Sequence, residues 1–229
     1  MTRLQVIYVF THDSIFLGED GPTHQPVEQL PGLRLVPNLE VLRPADPLEV
    51  AMAWTLALER RDGPTALVLT RQDLPPLRRP SGFSPETMRR GGYVLSDAPV
   101  PDRPDAGGRP VSLPSLVLIA SGSEVGPAQQ AQEILSERGI AARLVSMPCP
   151  DLFLRQDEAY RRSVVPNGAK SIVIEAARIH GWERVAGCDA LMIGVDRFGA
   201  SAPWKVIAEK FGFTGPQIAD RVLRFIGAA

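Results

Sequence analysis

Two histidines, an aspartate and an arginine stand out because their side chains suit the binding of phosphorylated, hydroxylated molecules. His12, Asp20 and His24 lie in one turn-rich loop, and Arg71 follows a separate apolar segment. An imidazole that titrates near neutral pH can donate to hydroxyls or transfer protons, and a guanidinium can hold a phosphate through two hydrogen bonds. Loops rich in glycine, proline and histidine are also common as plain turns, so composition alone leaves a purely structural interpretation open.

The loop that carries the two histidines has the residues of an ordered turn. Gly18 and Gly21 permit backbone conformations that are closed to other residues. Pro22 and Pro26 restrict the chain, which reduces the entropy that is lost when the loop becomes ordered. We therefore expect the loop to hold its polar side chains in place.

The segments that must position these side chains are short apolar runs, which predict buried β-strands. One run precedes His12, another precedes Arg71, and a third lies between them. Ligands of parallel α/β sheets bind in the crevice beyond the carboxyl ends of the strands. Because the loop and Arg71 both begin at such an end, we expect the four polar residues to converge on one cleft. The runs are residues 4–10, 38–42 and 65–70.

A helix is predicted between the second and third runs. Asp46 can cap it, Pro47 suits its first position, and Glu49 can complete a capping box. The helix ends before the turn at residues 62–64. The side chains expected to face the core are those of Leu48, Met52, Thr55 and Leu58.

The order of elements indicates an α/β fold in two parts. We expect a partial parallel-sheet domain at residues 1–75 and a complete, smaller three-layer α/β domain at residues 115–229. Residues 76–114 are rich in proline and arginine and predict a linker, with a small strand near 92–95. In the second domain, Ser123 is expected to cap a helix that ends at 138. The other expected elements are strands at 116–120, 142–147, 170–175 and 190–194, and helices at 151–163, 203–211 and 216–226.

Bulk properties exclude several classes of protein. The chain has 229 residues and a formal net charge of −1, so no overall field favours nucleic acid or an anionic membrane. No apolar run reaches the roughly 20 residues that a membrane span needs. Cys149 and Cys188 form no metal or disulfide pattern, and the simplest interpretation is two buried thiols. These observations predict a cytoplasmic protein that binds neither nucleic acid nor membrane.

The string of residues around the loop resembles the signature of transketolases. Its most specific segment is Gly18-Glu-Asp-Gly-Pro-Thr-His24. One position departs from the pattern, because Phe16 stands where many family members have glycine. We interpret Phe16 as a local packing variant. The resemblance covers nearly the whole chain, at residues 8–29, 42–46, 62–67, 70–72, 90–94, 120–125, 145–148, 198–203 and 211–214.

The resemblance implies a fold, an activity and site residues. The chain looks like the end of a pyrimidine-binding domain followed by the C-terminal domain of an enzyme that transfers a two-carbon ketol unit between sugar phosphates. His12 and Arg71 match residues that bind the sugar phosphate, and Asp20 matches the residue that reads the C2 hydroxyl. His24 matches a residue that binds the sugar near the reacting carbons and assists proton transfer, which makes it the expected catalytic residue.

The resemblance also implies a cofactor for which this chain has few ligands. Transketolases use thiamine diphosphate with Mg²⁺ or Ca²⁺. The family's Gly-Asp-Gly motif and downstream asparagine, which hold the diphosphate and the metal, do not occur in the sequence. Its activating glutamate and stacking aromatic residues are also unmatched. We therefore expect no cofactor or metal ligands in this chain.

Two hypotheses about function remain open from the sequence. In the first, the chain supplies the sugar-phosphate half of a transketolase site, is inactive alone, and needs a complementary N-terminal chain together with homodimer-type contacts. In the second, it is a non-catalytic α/β module that binds a partner or a sugar phosphate, or a remnant. The first hypothesis predicts ketol transfer only after the N-terminal part is supplied.

Overall fold

The computed structural model describes residues 3–97 and 114–228. The first part of the chain forms a three-stranded parallel sheet in the order β1-β3-β2. This topology confirms the predicted parallel sheet and places all three carboxyl ends at one edge. The elements are β1 (Ile7–Thr11), α1 (Gln29–Arg34), β2 (Glu40–Leu42), α2 (Pro47–Glu59) and β3 (Thr65–Leu69).

Strand β1 lies at the outer edge of this sheet and is poorly covered. Within the described residues it pairs only with β3. Tyr8, Val9 and Phe10 are each more than two fifths exposed, and the rings of Tyr8 and Phe10 stack on each other. Strand β1 therefore has an exposed edge and a poorly covered face in the described part of the chain.

Helix α2 begins as predicted but presents a different face to the core. Asp46 accepts from the backbone N–H of Glu49, and Pro47 occupies the first helical position. The buried residues are Glu49, Ala53 and Ala57, whereas Leu48 and Leu58 are exposed. The predicted core face was therefore wrong at Leu48 and Leu58, whereas Met52 does pack against a core cluster. Small alanines let the helix lie close to its neighbours, and the Glu49 carboxylate is drawn inward by the hydrogen bonds described below.

The second sheet has five strands in the order β4-β6-β5-β7-β8, all parallel except the edge strand β4. It confirms the predicted α/β class. Strand β4 comes from the segment expected to be a linker, where a small strand was predicted. The elements are β4 (Tyr93–Asp97), β5 (Leu116–Ala120), α3 (Val125–Glu137), β6 (Arg143–Ser146), α4 (Pro150–Leu154), α5 (Glu158–Val164), β7 (Lys170–Ile174), α6 (Glu183–Ala186), β8 (Leu191–Ile193), α7 (Trp204–Phe211) and α8 (Gly215–Ile226).

Helices cover both faces of this sheet, which gives three layers. Alternate residues of β5 contribute to two separate apolar clusters, as the two-residue period of a strand requires. Leu118 packs on the side of α3 and α8, and Ile119 packs on the side of α4 and α6. The continuous apolar run of β5 is therefore explained by burial on both faces.

Three local predictions were wrong. The expected helix at 151–163 is two helices, because the chain leaves helical geometry at residues 155–157 and Asp157 caps a new one. Ser123 does not cap α3 but lies inside a 3₁₀ turn, Gly122–Glu124, that precedes it. Cys149 is buried, but Cys188 is exposed in the loop between α6 and β8. Burial raises the pKa of the Cys149 thiol to about 12, so it behaves as an apolar side chain.

The first sheet shares its core with the second part of the chain, which is the part from β4 onward that forms the second sheet. One of its apolar clusters includes Ala177, and another includes Cys149. The ion pair between Glu40 and Arg155 also joins the two parts. We infer that the first sheet depends on the second part for its packing.

Candidate functional site

The carboxyl edge of the first sheet carries two of the four residues chosen from the sequence. His12 directly follows β1, and Arg71 follows β3 by two residues. These strands are neighbours with Thr11 paired to Leu69, so the two residues follow adjacent strand ends at the same edge of the sheet. Arg43 follows β2 at the same edge and was not predicted as a site residue.

Each of the two histidine rings is held by the hydroxyl of the threonine that precedes it. His12 has a φ of 66°, and its Nδ1 lies 2.8 Å from the hydroxyl of Thr11. His24 Nδ1 lies 3.0 Å from the hydroxyl of Thr23. Both rings are exposed, and neither Nε2 has a hydrogen-bond partner in the described part of the chain. Each imidazole therefore has one nitrogen available for a ligand. Sequence reasoning missed the threonines, although a Thr-His pair occurs twice.

Asp20 and Arg71 are exposed as well. Among residues 3–97 and 114–228, none of the four side chains makes an ion pair or hydrogen bond with another. Their convergence on one ligand therefore stays a prediction. A mainly apolar cavity of about 420 Å³ adjoins His12 and lies between the face of β1 and α1. Its wall includes Phe10 and Leu33.

The loop that carries Asp20 and His24 is anchored to the second part of the chain. The side chain of Gln25 donates to the carbonyls of Gly18 and Ala200, and its Oε1 accepts from the N–H of Ala200. Ser201 donates to the carbonyl of Glu19. Two separate stretches of the family signature, near residues 18–25 and 198–203, therefore contact each other. These bonds anchor the backbone of the loop, and Gly18 has the positive φ expected of it, 90°.

An aromatic cluster packs around the first residues of the same loop. Phe16 is buried, and its ring meets those of Trp204 and Phe213 edge-on at centroid distances of 6.4 and 5.8 Å. Edge-on pairs of this kind are favourable beyond their buried area. Phe16 is therefore a packing residue, as interpreted from the sequence.

A substitution at Gly199 tests whether Gln25 anchors the loop. A Cβ at this position would lie 1.6 Å from Gln25 Oε1, so Gly199→Ala must displace the Gln25 side chain. We expect the free energy of unfolding to fall by about 1–3 kcal/mol, measured by urea titration. Gly32→Ala is the control, because no atom lies within 4 Å of its added Cβ. Equal stability of the two variants would show that Gln25 does not hold the loop.

A buried group of charges lies directly beneath the sheet edge. Arg43 is fully buried, and its Nε donates to Asp13 Oδ2 at 2.7 Å. Its other nitrogens donate to Glu124 and to the carbonyl of Ser121. A Cβ on Gly122 would lie 2.7 Å from the guanidinium carbon, so only glycine leaves room for it. Arg43 and Asp13 come from the first part of the chain and the other groups from the second.

Glu175 extends this group of charges. Arg34 donates two hydrogen bonds of 2.8 Å to its two carboxylate oxygens. Ser121 and the indole N–H of Trp182 donate to the same carboxylate. Glu175 is fully buried and Arg34 is largely buried, so this bidentate pair is shielded from water. It again joins the two parts of the chain.

The pKa values of this group follow from burial and pairing. Burial lowers the pKa of Arg43, but Asp13 and Glu124 outweigh it and hold the pKa above its usual value. Burial raises the pKa of Glu124 despite its contact with Arg43. Burial also acts to raise the pKa of Glu175, but Arg34 and Arg43 outweigh it and hold that pKa at about 2. Arg43 therefore stays charged, and Glu175 remains ionised at neutral pH.

A second buried group joins α2 to the second sheet. Glu49 accepts from the hydroxyls of Tyr93 and Ser146 and from the N–H of Ala45. Burial raises its pKa. Asp46 forms a two-bonded pair with Arg79. These contacts explain why Glu49, a charged residue, faces inward from α2.

The described part of the chain contains neither a metal-binding cluster nor a membrane-spanning helix. No group of three or more His, Cys, Asp or Glu side chains in residues 3–97 and 114–228 is arranged to hold a metal ion. Within the same residues, no helix has both the length and the apolar character needed to cross a bilayer.

Comparison with known families decides the identity of the fold. Residues 1–76 match the transketolase pyrimidine-binding domain, and residues 91–214 match the transketolase-like C-terminal domain. The chain belongs to the transketolase family. The transketolase of Aquifex aeolicus is 47% identical over 224 residues, which are 97% of this chain and 31% of that protein. The chain therefore spans about a third of the length of this relative.

Solved transketolase structures share the fold described above. The Pichia stipitis transketolase in complex with sedoheptulose-7-phosphate is 37% identical, with a TM-score of 0.85 over 98% of this chain and 30% of that chain. A split-gene transketolase, described as an inactive tetramer of four β subunits, is 21% identical with a TM-score of 0.72, over 99% of this chain and 68% of that chain. The second likeness concerns the fold alone. The transketolase assignment predicted from the sequence is confirmed.

Proposed function

We propose that this chain supplies the sugar-phosphate-binding part of a transketolase, which transfers a two-carbon ketol unit between sugar phosphates. The observation that carries the proposal is the placement of His12 and Arg71 after adjacent parallel strands. Asp20 and His24 lie in the anchored loop, which begins at the same end of β1. The complexes of the Pichia stipitis enzyme with sugar phosphates support this choice of substrate.

The proposed roles follow from the chemistry of each side chain. Arg71 and His12 bind the phosphate, because a dianionic group requires cationic or N–H donors. Asp20 accepts from a sugar hydroxyl and so selects its configuration. His24 donates to the sugar near the reacting carbons and assists proton transfer through its free Nε2.

Thiamine diphosphate with Mg²⁺ or Ca²⁺ is the cofactor that we propose for the complete enzyme, where it would stabilise negative charge on the transferred carbon. The described residues of this chain do not fit its diphosphate and metal. The carboxylates of Asp13 and Glu124, which lie beneath the sheet edge, are buried and committed to Arg43. We therefore propose that the isolated chain is inactive.

We propose that the cofactor ligands come from a complementary N-terminal transketolase chain. The split-gene transketolase is a precedent for division of the enzyme between chains. The exposed apolar edge strand β1 is the surface that such a chain would cover, since open edges readily accept further strands. Homodimer-type contacts complete the proposed assembly. We place it in the cytoplasm, where the unpaired thiols of Cys149 and Cys188 stay reduced.

The test is to co-express this chain with the N-terminal two thirds of a related transketolase. We expect ketol transfer between pentose phosphates, with thiamine diphosphate and Mg²⁺ present, in the mixture but in neither part alone. The control is the N-terminal part with a chain that carries Asp20→Ala. A folded complex without activity would contradict the proposal and leave the non-catalytic interpretation.

A further inference from the structure

A cleft lined by four arginines lies between the two parts of the chain, among residues not assigned to the proposed sugar site. It has a volume of about 300 Å³ and receives two arginines from each part. A pocket of about 60 Å³ that shares several of its lining residues extends it toward His180. The charged residues of the lining are Arg34, Arg60, Arg155, Arg184 and Asp151.

The two exposed arginines of the cleft keep most of their donors free. Arg184 is 3.5 Å from Asp151, beyond a good hydrogen bond, and makes no other side-chain contact of this kind in the described residues. Arg155 gives one N–H to Glu40. A guanidinium has five donors in a fixed fork. The pair therefore presents several unused N–H groups to the cleft.

The two inner arginines are fixed in place by groups of the chain itself. Arg34 is held by Glu175, and its Nε is buried without a hydrogen-bond partner among the described residues. Arg60 donates to Asp62, to Asn38 and to the carbonyl of Pro64. The charge of each inner arginine is therefore balanced by its own carboxylate, and the free N–H groups of Arg155 and Arg184 are the donors that a bound oxyanion would meet.

The neighbouring carboxylates do not remove the preference for an anion. Glu40 and Glu175 are bonded to their own arginines, and Asp151 is the one carboxylate among the lining residues described. An arginine can bind a phosphate through two parallel hydrogen bonds, so two such residues can share one phosphate.

We propose that this cleft binds the phosphate group of a small phosphorylated metabolite. Its volume exceeds what a bare phosphate ion needs, which leaves room for an organic body of sugar size. The ligand would contact both parts of the chain and so stabilise their association. This site is separate from Arg71 and does not depend on the proposed function.

The test measures binding of inorganic phosphate and of ribose 5-phosphate by calorimetry at constant ionic strength. The chain carries Arg71→Gln, so that the proposed sugar site does not contribute. We expect Arg155→Gln with Arg184→Gln to weaken binding of both ligands by about tenfold or more. Arg138→Gln, an exposed arginine at the end of α3, is the matched control and should bind normally.

A second variant tests the proposal in the opposite direction. Asp151→Asn removes the competing carboxylate and should strengthen phosphate binding. No binding by the parent chain at about 10 mM phosphate would overturn the proposal. Equal affinity of the Arg155/Arg184 double variant and the Arg138 control would also overturn it. Binding of inorganic phosphate with exclusion of ribose 5-phosphate would overturn the assignment of a phosphorylated metabolite.

Discussion

Arg43→Met is expected to lower the free energy of unfolding by about 3–5 kcal/mol. The methionine fills much of the same space, but it leaves Asp13 and Glu124 buried without their cation. Removal of one partner from a buried ion pair costs more than the pair itself contributes, because the remaining charge stays out of water. Urea unfolding followed by the fluorescence of Trp182, which is bonded to Glu175 in the same group of charges, measures the loss.

The control and the rescue for this prediction come from the same chain. Arg138→Met removes an exposed arginine and should change stability by less than about 0.5 kcal/mol. Addition of Glu124→Gln to Arg43→Met should recover part of the loss, because it removes one of the unpaired charges. If Arg43→Met were as stable as the Arg138→Met control, the buried pairs would not join the two parts of the chain.

The buried charges also relate stability to the proposed site. Asp13 is held by Arg43 and is the immediate neighbour of His12, whose backbone has a positive φ. Residues other than glycine adopt this conformation rarely, although histidine does so more often than most. We infer that the pair of Arg43 and Asp13 fixes the point at which the chain turns away from β1. The sheet edge, the loop and the second part of the chain are thus one connected arrangement.

Features that depend on neighbours in sequence could be predicted. The apolar runs became strands, Asp46 and Pro47 began α2, and Gly18 adopted a positive φ. Each follows from a period, a cap or a backbone preference within a few residues. The common edge of His12 and Arg71 also followed, because it needs only the parallel order of the strands.

Features that depend on distant partners could not be predicted. Arg43 follows a strand as an ordinary polar residue would, and its partner Glu124 is 81 positions away. Glu49 faces inward because Ser146, 97 positions away, donates to it. Gln25 holds the loop through Ala200, 175 positions away. No local pattern reports such contacts, so the buried charges and the anchoring of the loop became visible only in the structure.

His24→Gln is expected to lower kcat for ketol transfer in the assembled enzyme by about 10²–10⁴-fold. Glutamine retains a side-chain hydrogen-bond donor, but it cannot take up and release a proton near neutral pH. Because the His24 side chain is exposed and bonded only to Thr23 among the described residues, the variant should fold and assemble normally. The measurement compares kcat and KM of the variant with those of the parent assembly.

A comparison of phosphorylated and unphosphorylated acceptors distinguishes a role of His24 in proton transfer from a role in phosphate binding. If His24 acts near the reacting carbons, the loss in kcat should persist with an unphosphorylated aldehyde, since that acceptor lacks the group proposed to contact Arg71. A loss restricted to phosphorylated acceptors would instead place His24 at the phosphate. A rise in KM with unchanged kcat would also contradict the proton-transfer role. Such a result means that His24 stabilises the bound substrate and the transition state by the same amount, which is binding and not proton transfer.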